Sequence, residues 1–137
     1  DDTAFAAGWV SYYQISFDGQ AANSSALDLE TVLAAADLGI HIRRWSLQEA
    51  ADYIQSLTGL PAGLAQEAAL RIAANPADAV ATHIHTERFQ SLEVRARQIL
   101  ATRFDLTAFQ AVLLKDGPRA LPLVERDIED WYQGQLQ

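Results

Sequence analysis

Apolar residues recur along the chain at three- and four-residue spacing, with alanine and leucine dominating and few alternating runs of β-branched residues. That period predicts helices almost throughout. Thr3 to about Ser16 reads as a first helix carrying the aromatic stripe Phe5, Trp9, Tyr12 and Tyr13. A turn-rich stretch follows from Phe17-Asp18-Gly19 to Ser25, and Ser25 with Asp28 has capping-box spacing. The next helix, Leu27 to about His41, is apolar on all sides at Val32 to Ala36 and is expected to be central.

Ser46 with Glu49 forms a second capping box, opening a helix that ends at Thr58-Gly59. Pro61 suits the first turn of a helix running to about Ala74. Asn75-Pro76 then reads as a cap and first position of the longest helix, reaching about Thr102, with Asp78 set against its dipole. Asp105 caps a helix ending at Lys115-Asp116-Gly117, and Pro118 and Pro122 introduce the last one. In that last helix Glu125 to Asp130 reads as a solvated acidic face, with Ile128 and Trp131 turned inward. The pattern is an all-α array of about seven helices. A length of 137 residues predicts a single helical domain over 1–137.

Charge narrows the function classes. Acidic residues outnumber basic ones, 18 to 10, for a net charge of −8, and the basic residues form no run. A nucleic-acid binder needs a cationic face, so none is expected as a partner. No apolar stretch is long enough to span a membrane. Cysteine is absent, which removes disulfides, thiolate ligands and a thiol nucleophile. Methionine is absent too, even at position 1, and the sequence therefore reads as a fragment of a longer protein.

Three constellations could carry chemistry. His41 follows Asp37 by four residues, so the carboxylate and imidazole share a helical face, an arrangement that fixes a tautomer and raises ring basicity. It also suits two groups that merely hydrogen-bond at a helix end. Gly39 between them suggests close approach of the backbone to another group. His83 and His85 are about 200° apart on a helix and point to opposite sides, whereas His83 and Glu87 could share a cation or simply a polar surface. No His-Glu-x-x-His segment, glycine-rich phosphate loop or nucleophile elbow is present.

Several segments, in order, resemble a known family. Ala36-Asp37-Leu38-Gly39-Ile40-His41 followed by Trp45-Ser46-Leu47-Gln48-Glu49-Ala50 is similar to Val-Asp-Thr-Gly-Ile-His and Gly-Trp-Ser-x-x-Gln-Ala. Pro76 to Ile84 parallels Pro-Gly-Gln-Ala-x-x-Tyr-Lys-Ile-Gly, and Glu93 to Ala96 a Leu-Arg-x-x-Ala helix. Arg103 to Leu113 resembles Phe-Asp-Leu-x-x-Phe-His-x-x-Val-Leu, and Phe5 to Tyr12 resembles Phe-x-Glu-Gly-Trp-Ala-x-Tyr. Pro122 to Trp131 matches the last helix. These are segments of the C-terminal part of the bacterial domain-of-unknown-function (DUF) family 885, which resembles helical, carboxypeptidase-like zinc metallopeptidases.

The resemblance implies the C-terminal helical portion of a zincin-like fold. It places His41 and Asp37 in a remnant catalytic cleft, and Asp78, Thr82 and His83 where the family has substrate-binding Gln, Tyr and Lys. It puts the metal-binding helix on a segment outside this chain, and the third zinc ligand at Ala7, which has no donor atom. The expected reading is a degenerate, non-catalytic relative or fragment with a peptide-binding or assembly role, no metal held by this chain alone, and zinc only with the missing segment. The alternative is one half of a working zinc metallopeptidase. Expected partners are the missing N-terminal half or another copy, through exposed apolar anchors at Phe5, Trp9 and Val32 to Ala36, together with a peptide ligand. The compartment expected from the resemblance is the periplasm or the exterior.

Overall fold

The computed structural model describes residues 2–18 and 29–137. Among these residues the protein is all-α, with seven α-helices and no strand. They are α1 (Asp2–Asp18), α2 (Leu29–His41), α3 (Leu47–Thr58), α4 (Ala62–Ala74), α5 (Asp78–Leu100), α6 (Leu106–Leu114) and α7 (Leu121–Leu136), with a 3-10 turn at Ala101–Arg103. The expected Ser25–Asp28 box lies outside the described residues.

Local signals set most of the ends. Ser46 Oγ accepts the Glu49 N–H at 3.1 Å, and Glu49 accepts the Ser46 N–H at 2.7 Å, so both halves of the capping box form. Gly59 closes α3 in the left-handed region at φ 72°. Asp105 accepts the Ala108 N–H at 3.0 Å and caps α6. One expectation fails. Asn75 is the C-cap of α4 rather than the N-cap of α5, and Ala77 takes the N-cap position with φ 65° and no capping side chain.

The chain divides into two compact units, Asp1–Phe17 with His85–Gln137, and Asp18–Ile84. In the first, Phe5, Tyr12, Phe89, Leu92, Phe109, Leu113, Val124, Ile128 and Tyr132 form the core, and Phe89 meets Phe5 edge-on at 5.3 Å. Ile128 is buried and Trp131 packs against this core, as the last helix's pattern predicts. The acidic face of α7 is more structured than a solvated stripe. Asp127 accepts from Arg119 Nε at 3.0 Å, while the same guanidinium donates to the carbonyls of Val112, Leu113 and Gly117 at the end of α6. Arg119 thus satisfies the orphan carbonyls of one helix and pins the next. Arg119→Ala is expected to destabilise the protein by about 2 kcal/mol, read as a lower urea midpoint at unchanged slope.

In the second unit α2, α3 and α4 pack on one another. Val32, Ala36, Ala50, Ala51, Ile54, Ala65, Ala69 and Ile72 fill the interior. Small side chains along all three helices let the backbones approach closely. Phe5 and Val32 are 2% and 1% exposed, and Ala36 is fully buried. Of the anchors expected at the surface, Phe5, Val32, Ala34 and Ala36 are therefore core residues, while Trp9, Leu33 and Ala35 are partly exposed. The large apolar side chains that do face outward include Leu38, Ile42, Leu64 and Leu70. No helix of the described residues is long and apolar enough to cross a membrane.

Candidate functional site

The apolar stripe of α2 carries one carboxylate into the interior. Asp37 is 1% exposed and makes its bonds to the start of α5. Its Oδ1 accepts the Ala77 N–H at 3.0 Å and its Oδ2 the Val80 N–H at 3.3 Å. Ala77 is the N-cap, since its carbonyl accepts the first helical bond from Ala81, and Val80 is the third helical position. These are the two donors that a capping box satisfies. Here one carboxylate from another helix satisfies both, and its charge faces the positive end of the α5 dipole.

His41 lies one turn further along α2, on the face its spacing predicts. Its Nε2 is 3.1 Å from the Ile72 carbonyl and 3.5 Å from Asp37 Oδ1. Both neighbours accept only, so Nε2 carries a proton. It donates to the last turn of α4. The pair joins three helix ends: α2, the C-terminus of α4 and the N-terminus of α5.

Between those ends is a cleft of about 210 Å³, lined by Glu30, Leu33, Ala68, Arg71, Ile72, Asn75, Asp78, Ala79 and Thr82. Leu33, Ala68, Ile72 and Ala79 give it apolar walls. Glu30 and Asp78 supply carboxylates, Arg71 a guanidinium, and Asn75 and Thr82 neutral polar groups. Among the described residues Arg71 has no ion-pair partner. His83 Nδ1 lies 3.2 Å from Glu30 Oε1, so this histidine positions a residue of the rim. The structure brings Asp78 and Thr82 to one cleft, and His83 does not line it but contacts Glu30. Asp37 and His41 do not line it; they hold its walls through Ala77, Val80 and Ile72.

Arg71 and Glu30 escape sequence reasoning, since one arginine and one glutamate at helix ends look like ordinary surface charge. A usable signal is the placement of Arg71 one turn before Asn75-Pro76, at the mouth of an expected helix junction. His85 is separate chemically. Its ring stands edge-on to Phe5 and Phe89 at 6.3 and 6.0 Å, while His83 faces Glu30, in keeping with their opposite directions on one helix.

Position 7 is alanine, no three histidines or carboxylates among the described residues converge to hold a cation, and the Nε2 of His41 is committed to Ile72.

A family model described as "Bacterial protein of unknown function (DUF885)" matches residues 25–128. No curated protein matches the chain. A solved structure described as "The crystal structure of the putative lipoprotein from Colwellia psychrerythraea" shares 22% identity with a TM-score of 0.84, covering 96% of this chain and 24% of that one. That likeness shows a shared fold, and the chain spans about a quarter of the length of the solved protein.

Proposed function

The chain belongs to the DUF885 family of bacterial proteins, and from that premise we propose that it is a non-catalytic, peptide-binding portion of an exported zinc-metallopeptidase-like protein. The observation that carries this reading is the cleft of the second unit, where Asp78 and Thr82 meet Glu30 and Arg71 over apolar walls. At about 210 Å³ it is smaller than the roughly 300–1,000 Å³ of drug-sized ligand sites. It suits one end or one side chain of a peptide. Both charge signs at the rim suit a ligand with a charged end and a backbone to orient.

Asp37 and His41 act in this reading as positioning residues. They keep the helix ends of the cleft in register and take no part in bond breaking. The absence of a donor at Ala7, together with the engaged Nε2 of His41, supports a chain that does not hydrolyse peptides by itself. Export is supported by the description of the Colwellia psychrerythraea protein as a lipoprotein.

Isotope-labelled protein titrated with short peptides tests the reading by two-dimensional NMR. Saturable shifts are expected at Arg71, Asp78 and Thr82, with Arg71→Ala weakening the affinity about tenfold, or about 1.4 kcal/mol. Absence of saturable shifts at those residues would reject it. A second reading makes the chain one part of a working metallopeptidase, and its support is the 24% share of the solved protein that the chain covers. Native mass spectrometry separates the two, because the second requires a further polypeptide segment and one zinc per copy.

A further inference from the structure

A different face of the second unit carries a groove of about 480 Å³, between the end of α2 and the start of α3. Leu38, Ile42, Trp45 and Tyr53 wall it, and Arg43 lies at its rim. Ile42 is 73% exposed and Leu38 46%, a large apolar surface for so short a segment. The indole of Trp45 lies against the Gly39 backbone and meets Tyr53 at 5.0 Å, which gives the groove an aromatic base. Arg43 and Arg44 are both exposed, and neither guanidinium has an ion pair or hydrogen bond among the described residues. Of the other basic residues, Arg88, Arg95, Arg97, Lys115 and Arg119 pair with carboxylates, while Arg71, Arg103 and Arg126 have no ion pair among the described residues.

Adjacent in sequence and exposed, the two guanidiniums concentrate positive charge at one place in a chain of net charge −8. Arg44 adds a second observation. It sits in the left-handed region at φ 59°, where glycine closes the turn with less strain. An arginine there costs stability, and it stands in sequence between Arg43 and Trp45, which both line the groove.

We infer that this groove docks an acidic peptide segment of a partner chain, its aliphatic side chains entering between Ile42 and Trp45 and its carboxylates meeting Arg43 and Arg44. Arginine suits this role because its planar donors match carboxylate geometry and stack on aromatic rings. The site is separate from the Arg71 cleft and does not depend on it.

The test uses a dye-labelled peptide of alternating glutamate and leucine, with a lysine-leucine peptide as its control. Fluorescence anisotropy is read at low and high salt, and the Trp45 indole resonance is followed by NMR. Saturable binding of the acidic peptide is expected, with the Trp45 resonance shifting and affinity falling about tenfold when Arg43 and Arg44 are both changed to Glu. Ile42→Ser, at a side chain exposed enough to leave folding intact, is expected to weaken binding without changing its salt dependence. Equal binding of the lysine peptide, or no saturable binding of the acidic one, overturns the inference. So does sedimentation showing that a second copy of this chain occupies the face and that the peptide does not displace it.

Discussion

Asp37→Ala is expected to be among the most damaging single substitutions in the protein, at about 3–5 kcal/mol. The wild-type carboxylate is buried, accepts two backbone N–H groups that no side chain of α5 could satisfy, and lies 3.5 Å from His41. Truncation to alanine leaves both donors without their acceptor and removes a negative charge from a helix N-terminus. Asp37→Asn separates the contributions. It keeps one carbonyl oxygen but turns an amide donor toward the second N–H, so about half the loss is expected. Urea denaturation gives the magnitudes, and hydrogen exchange locates them. Exchange of the Ala77 and Val80 amides should accelerate more than that of the Glu49 amide, which is capped independently by Ser46. A loss below about 0.5 kcal/mol in Asp37→Ala would show that solvent serves the α5 terminus as well as the carboxylate does.

That interaction also marks the boundary of what was legible in the chain. Helix boundaries governed by neighbours were readable, because a hydroxyl or carboxylate three residues from its partner announces the cap. Ser46 with Glu49, Asp105 and Gly59 all formed as their spacing predicts. Asn75-Pro76 carries an equally strong local signal for an N-cap, yet α5 is capped by a carboxylate 40 residues earlier in the chain, with Asn75 ending α4 instead. Local pattern cannot weigh a distant partner. The same limit applies to Asp127, whose place in an acidic run hides its bond to Arg119, and to Arg71, which becomes notable only when α2, α4 and α5 meet. Phe5 and Val32 differ from the expected exposure because helices of this same chain, and no missing segment, bury their apolar faces.

Gly39→Ala is expected to cost about 3 kcal/mol, at the upper end of overpacking effects, although it replaces a poor helix former with the best one. On propensity alone the change would stabilise α2 by about 1 kcal/mol. Packing reverses the sign. A Cβ at position 39 would lie 2.1 Å from Cε3 and 2.4 Å from Cζ3 of Trp45, inside the ring's own contact radius. An indole has no flexible end to swing away, and this one also packs on Tyr53 and follows directly from a backbone bond, Trp45 N–H to the Gly39 carbonyl at 3.0 Å. The ring must leave or α2 must shift. A double-mutant cycle decides between a local clash and a general effect on the helix. With Trp45→Ala as background, Gly39→Ala should lose most of its penalty and approach the propensity gain, giving a coupling energy of about 2–3 kcal/mol. Additive losses would mean that the glycine is needed for something other than the tryptophan. Strong coupling has a consequence for the neighbouring groove as well, since its aromatic base exists only while position 39 lacks a side chain. Gly39→Ala should therefore weaken the acidic peptide even at temperatures where the variant remains folded.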